Sequence, residues 1–213
     1  MSRIAIIDFE TTGMTPNAGD RATEVAIVIA EQGVAVDRFQ SLMNAGVRVS
    51  SFITQLTGIT NAMLAQAPPA DAVMREAARF VGQHTPMVAH NAAFDRRFWV
   101  AELERAGVAA PQPFACTVLL SRRLYPEAPS HRLGALVDRF QLPRTGRAHR
   151  ALADAEMASE LLGRIQHDLR TRHGVGNPDH AFLMALQRCS RAALPAFMRA
   201  QQSRCSATSS PLP

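Results

Sequence analysis

The sequence predicts a mixed α/β fold, a five-stranded sheet flanked by helices with an extra helical segment at the C-terminus. Three observations lead there. Three β-branched or alternating runs follow one another near the N-terminus, and short apolar runs then alternate with helical stretches. The length of 213 residues suits one compact domain with a small appendage.

Arg3 to Asp8 is a short apolar run, a buried strand ending in a carboxylate. Residues 11–20 are turn-rich and form a loop. Ala22 to Ala30 and Val34 to Met43 are the next two strands of a meander. Ser50 to Ala65 forms short helical turns around Gly58. Pro68-Pro69 punctuates the chain, and Asp71 is expected to cap a helix reaching Gly82. Met87 to His90 is a fourth strand. Asn91 then opens a helix to Ala106, closed by Gly107. Phe114 to Cys116 is the fifth strand, with Thr117 expected to cap the helix that follows. Leu133 to Phe140 and Ala148 to Arg172 are helical, and Asn177-Pro178 separates a last helical stretch from Asp179 to Gln201. The expected division is a main domain over 1–172, a helical extension over 173–205, and a small, polar, disordered tail over 206–213.

Apolar residues make up 47% of the chain and charged residues 19%, the balance of a globular domain. Cys116, Cys189 and Cys205 are odd in number and widely spaced, which excludes a disulfide framework or a paired zinc pattern. A reducing, cytoplasmic setting is the expectation. The apolar run at the N-terminus is too short for a signal peptide, and no stretch approaches the roughly 20 apolar residues of a membrane helix. The formal charge is +5, and every basic residue is arginine. Its planar fork suits phosphate, although an arginine-only surface also follows from genomic base composition.

The chemistry is carried by three acidic clusters. In Asp8-Phe9-Glu10, strand alternation puts both acids on one face while Phe9 turns to the other. Two adjacent carboxylates repel and require a cation to stay ionised; oxygen ligands of this kind suit magnesium or manganese. In His90-Asn91-Ala92-Ala93-Phe94-Asp95, a strand delivers Asn91 and a helix sets Asp95 one turn further on. Taken alone, Asp95 could simply complement the helix macrodipole. In His149-Arg150-Ala151-Leu152-Ala153-Asp154, five residues turn through roughly 140° of helix. His149 and Asp154 therefore meet only if His149 lies on the loop or cap before the helix. A histidine there is suited to proton abstraction near neutral pH.

Together these segments resemble the three motifs of the DEDDh (DnaQ-like) 3′–5′ exonuclease family, in order and at similar separations. Asp8-Phe9-Glu10-Thr11-Thr12-Gly13 resembles the first, His90 to Asp95 the second, and His149 to Ala155 the third. Gly58-Ile59-Thr60, Arg132-Leu133 and the approach from Pro143 to His149 are weaker matches. The resemblance spans residues 3–165 and is greatest to the epsilon proofreading subunits of bacterial DNA polymerase III. It implies a ribonuclease H-like fold, with an exonuclease domain over 1–172. It also implies two divalent metal ions, Mg²⁺ or Mn²⁺, held by Asp8, Glu10, Asp95 and Asp154, with His149 as general base. Such a pair of ions activates water and stabilises the leaving 3′ oxygen, so the product is a nucleoside 5′-monophosphate.

The implied substrate contacts are Phe9, Thr11, Thr12, Gly13, Met14, Asn91 and Phe94. Met14 is either an apolar wedge against a base or a loop residue packed on the core. Asn91 caps its helix, contacts substrate, or does both, and Phe98 belongs to the core. Two departures stand out: Thr57 replaces a histidine that epsilon-type relatives often carry before the Gly-Ile pair, and Cys116 replaces an aspartate. Neither is a metal ligand. The implied partner is nucleic acid with single-stranded 3′ ends, DNA favoured over RNA by the Thr-Thr-Gly-Met run, and a DNA polymerase subunit is an implied protein partner. The alternatives are RNA 3′-end trimming, similar to ribonuclease T or oligoribonuclease, and a non-catalytic nucleic-acid-binding module.

Overall fold

A computed structural model describes residues 3–207; residues 208–213, most of the expected disordered tail, lie outside the described residues. The first strand, β1 (Arg3–Thr11), sits at the centre of a five-stranded sheet. It pairs antiparallel with β2 (Ala22–Glu31), which pairs antiparallel with β3 (Val34–Leu42). Gln32 and Gly33 join those two strands with φ of 55° and 81°, the left-handed geometry that a two-residue hairpin turn needs. The crossover from β3 contains α1 (Ser51–Thr57), α2 (Asn61–Gln66) and α3 (Ala70–Val81). It delivers β4 (Met87–Ala89) parallel to β1. Helix α4 (Ala92–Arg105) leads to β5 (Phe114–Cys116), parallel to β4, giving the order β3-β2-β1-β4-β5. Helices α5 (Thr117–Leu124), α6 (Leu133–Arg139), α7 (Ala151–Thr171), α8 (His180–Arg188) and α9 (Leu194–Ala207) follow.

Strand alternation divides the core into two layers. Ile4, Ile6, Ala26 and Val28 face α7, joining Leu161, Leu162 and Ile165. Ala5, Ile7, Phe9, Ile27 and Ile29 face α3 and α4, joining Met74, Phe98 and Trp99. Asp8, Glu10 and Glu24 share the parity of the α7 face, so the sheet presents its acids toward the start of that helix.

Several local expectations are corrected. The first strand runs on to Thr11, because β1 stays paired with β2 through Glu10 opposite Glu24 before its register shifts. Asp71 does not cap α3: Pro69 is its N-cap, and Asp71 sits in the first turn bonded to Arg75 at 2.7 Å. Thr117 does not cap α5 either. It is the first helical residue, and its hydroxyl faces His90 instead. The final helical stretch is two helices, since α8 ends at Arg188 and α9 starts at Leu194. Pro195 in its first turn lacks the N–H that a continuous helix would need.

Helix α8 solves a problem at the sheet edge. Gln187 accepts a hydrogen bond from the Cys116 N–H at 2.7 Å and donates to the Phe114 carbonyl at 3.3 Å. One side-chain amide thus stands in for a sixth strand along β5 and removes an exposed pairing edge. His180 donates to the Met87 carbonyl at 2.9 Å. No helix among the described residues is long and apolar enough to cross a membrane.

Candidate active site

The acids meet where β1 ends, between the first turns of α4 and α7. Asn91, with φ 72° and ψ 46°, makes the left-handed turn from β4 into α4. This turn aims Asp95 back at β1, where its Oδ1 accepts the Phe9 N–H at 3.2 Å. Asp95 is only 2% exposed. Helix α7 begins at Ala151, so His149 lies on the loop before it with φ 60°. The His149 N–H donates to Asp154 Oδ2 at 3.2 Å. Loop placement therefore overcomes the angular mismatch that a continuous helix would impose. Ligand-capable atoms of Glu10, His149 and Asp154 all lie within 4.8 Å of one another. Asp8, two residues before Glu10 on the same strand face, feels the charges of Asp95, Asp154 and Glu10.

Burial and mutual repulsion raise the proton affinity of this cluster. Burial pushes the Asp8 carboxyl well up, and Asp95, Asp154 and Glu10 push it further. Glu10 is raised to about 8 by burial, then by Asp154 and Glu24, with Arg150 opposing. Burial also raises Asp95 and Asp154. Carboxylates whose charges oppose one another in a buried place are the kind of oxygen donors that fit hard divalent cations.

His90 has a structural role. Thr117 faces its Nδ1 at 2.8 Å, and its Nε2 donates to the His131 carbonyl at 3.1 Å. Burial pushes its pKa down to about 4, so it is an uncharged strut between β4 and the 129–132 loop.

Two ion pairs that the sequence did not reveal hold the site. Glu24, fully buried on β2, accepts from Arg150 Nε at 3.0 Å and Nη2 at 2.7 Å, and from the Ala151 N–H at 3.0 Å. Burial would raise the Glu24 carboxyl, but the bonds from Arg150 and Ala151 outweigh it and hold it below its usual value. The pair clamps the start of α7 to the sheet directly beside His149. The available signal was an acid within an otherwise apolar strand, which demands a buried cation. On the opposite side, Arg21 grips Glu102 of α4 at 2.8 and 2.9 Å and donates to the Ala45 carbonyl. This fixes the loop after β1.

The expected substrate contacts separate into two groups. The Phe9 residue is 4% exposed and its ring lies 6.5 Å from that of Phe98, so its side chain is turned into the core rather than toward the acids. Thr11 donates to the Gly13 carbonyl at 2.6 Å, and Thr12 accepts the Arg21 N–H at 3.0 Å. Both hydroxyls are thus engaged in shaping their own loop. A Cβ at Gly13 would come within 2.4–2.5 Å of the Asp20 carboxylate, which itself accepts the Thr15 N–H at 2.8 Å. Met14 is 64% exposed, which excludes core packing. Asn91 is exposed and makes no side-chain cap, correcting that reading. Phe94 is half-buried, its centroid 5.0 Å from that of the fully buried Phe98. Thr57 points inward and accepts the Ile59 N–H at 3.0 Å. Arg147 reaches across to the Gln55 carbonyl at 3.4 Å and lies over Gly58.

Comparison with known proteins places the chain in a family. The family model RNase_T, described as an exonuclease, matches residues 5–162. The 3′–5′ exonuclease DinG of Bacillus subtilis is 37% identical over 169 residues, covering 79% of this chain and 18% of that protein. A DNA polymerase III PolC-type of Bacillus cereus is 36% identical over 165 residues, covering 77% of this chain and 11% of its own. The chain thus spans less than a fifth of the length of either relative. Among solved structures, Exonuclease X in complex with 5′ overhanging duplex DNA matches with a TM-score of 0.62 and 28% identity, over 77% of this chain and 91% of that one. The five-stranded mixed sheet is the ribonuclease H-like fold, and members of this family generally use divalent metals. The chain belongs to the DnaQ-like 3′–5′ exonuclease family.

Proposed function

We propose that the chain hydrolyses DNA from the 3′ end to nucleoside 5′-monophosphates, using two divalent ions held by Asp8, Glu10, Asp95 and Asp154. The observation that carries this reading is the approach of Glu10, His149 and Asp154 to within 4.8 Å of one another at the end of β1. Bound there, divalent ions supply charge neutralisation and lower the pKa of water. His149 takes the proton from the attacking water, an imidazole being the side chain that changes protonation near neutral pH. Its backbone bond to Asp154 couples the base to the donor set. Asn91, Met14 and Phe94 offer exposed or half-buried side chains to the terminal nucleotide, while the backbone of Thr11 to Gly13 shapes the loop beneath it. The PolC-type relatives support DNA as substrate and a proofreading role beside a polymerase.

The test is a parallel assay of single-stranded DNA, duplex DNA with a mismatched 3′ end, and RNA, with Mg²⁺, Mn²⁺ or a chelator. Mononucleotide 5′-phosphates should leave the 3′ end, faster from DNA than RNA and faster from mismatched than matched ends, with no release in chelator. Absence of release with either metal would overturn the reading, and preference for RNA would replace DNA as substrate.

A further inference from the structure

At the end of the sheet opposite the acids, a cavity of about 530 Å³ lies where β1 begins, β2 turns into β3 and α7 passes beneath. Ile4, Ala30 and Leu162 give it apolar walls, and Gln166, Arg170 and Asp179 give it polar ones. Gln166 is 5% exposed, and among the described residues its Oε1 has no hydrogen-bond partner. The orientation of this amide is fixed: Nε2 donates to the Pro178 carbonyl at 3.1 Å, and a carbonyl would not accept the oxygen in its place. Oε1 therefore faces the other way, toward Gly33, where a Cβ would lie 3.5 Å from it. Gly33 has φ 81°, which the hairpin requires, so the turn that shapes β2–β3 also leaves that oxygen uncovered by a side chain. Gly163 brings α7 close on the same side, since a Cβ there would lie 3.3 Å from the Gly33 carbonyl. An unpaired buried acceptor costs stability, and here it borders a cavity of the size that small ligands fill.

We propose that this cavity is a second nucleotide site, binding a nucleoside 5′-monophosphate whose base donates its exocyclic amine to Gln166 Oε1. This rests on the exonuclease reading, which makes such a molecule the product. An amide oxygen only accepts, so the ligand must bring an N–H. The amines of adenine, cytosine and guanine bring one at the edge of a flat ring, whose faces the walls of Ile4, Ala30 and Leu162 cover. Arg170 stands one turn beyond Gln166 on the same face of α7, placed to take the phosphate with its planar fork. Asp179 shares the wall, but its Oδ1 accepts the Phe182 N–H at 2.8 Å as the cap of α8. Gln166 lies about 18 Å further along α7 than Asp154, so a nucleotide here is not one held at the carboxylates.

Equilibrium dialysis in chelator, which keeps metal from the carboxylates, compares dAMP with purine 2′-deoxyriboside 5′-monophosphate, the same nucleotide without the amine. The parent chain should bind dAMP roughly tenfold more tightly, the factor expected when a buried acceptor is left unpaired. Gln166→Met, which keeps the volume and removes the oxygen, should erase that preference while kcat on a dT12 oligonucleotide stays parental. Arg170→Ala should weaken both nucleotides roughly tenfold and leave deoxyadenosine unmoved. Equal affinity of the parent for the two nucleotides, no saturation by dAMP at millimolar concentration, or a preference that survives in Gln166→Met would overturn the site. Parental affinity in Arg170→Ala would overturn the phosphate contact. Should Gln166→Met fail to fold, the two nucleotides on the parent chain still decide the matter. If the parent releases no mononucleotide from dT12, the exonuclease reading fails by itself, because the dialysis needs no turnover.

Discussion

Glu24 and Arg150, 126 positions apart, form a two-point ion pair of 2.7 and 3.0 Å with the carboxylate fully buried. The bond crosses from the sheet to the residue next to His149, so the placement of His149 depends on β2. Removing one partner of such a pair leaves an uncompensated charge or cavity.

Glu24→Ala should therefore lower stability by about 3–5 kcal/mol, the cost of breaking a buried pair, measured by urea denaturation. Among molecules that remain folded, kcat should fall more than KM rises, because the proposed contacts to the terminal nucleotide lie on other elements. A stable variant with parental kcat would remove the clamp from the mechanism.

His149→Ala should slow turnover by roughly 10²–10⁴-fold, the usual contribution of a general base, while titration calorimetry still detects metal binding. Full activity in this variant would show that proton abstraction occurs elsewhere.

The raised carboxylates make stability depend on pH in a definite direction. Glu10 binds its proton up to about 8 in the folded chain, against 4.5 in an unfolded one, so between those values the folded state holds more protons. Its contribution is fully present below 4.5 and is lost as pH rises through about 8. In chelator, the melting temperature should fall across that window. Metal at about 100 times its Kd should restore roughly 2.7 kcal/mol, or about 5–11 °C for a domain of this size. A melting temperature that rises with pH in chelator, or ignores metal, would contradict the cluster's electrostatics.

Gln187→Ala should strip Cys116 N–H and the Phe114 carbonyl of their partner. The expected loss is about 1–3 kcal/mol for buried groups left unsatisfied, read by thermal denaturation, with kcat at 25 °C little altered. A neutral outcome would mean that water serves the β5 edge equally well.

Much of this was legible from residue order. Periodicity marked five strands, because alternation of apolar residues records which side of a sheet is buried. It likewise put Asp8 and Glu10 on one face, and the rotation of a helix required His149 to lie outside it. Local pattern misled where tertiary contacts set the outcome. Asp71 and Thr117 carry good capping side chains, but Arg75 and His90 claim them. Phe9 borders the acids in sequence, yet its strand parity sends it into the core.

The amino-acid order alone therefore established the class of fold, the acidic set and the chemistry to expect, since these follow from short-range geometry and residue type. Only the folded chain revealed that Glu24 meets Arg150, that Gln187 closes the sheet, and that Gln166 and Gly33 line one cavity. Such partners lie tens of residues apart, and long-range pairing leaves no periodic trace: it is selected by packing the layers together, where every buried charge and backbone group must find its complement.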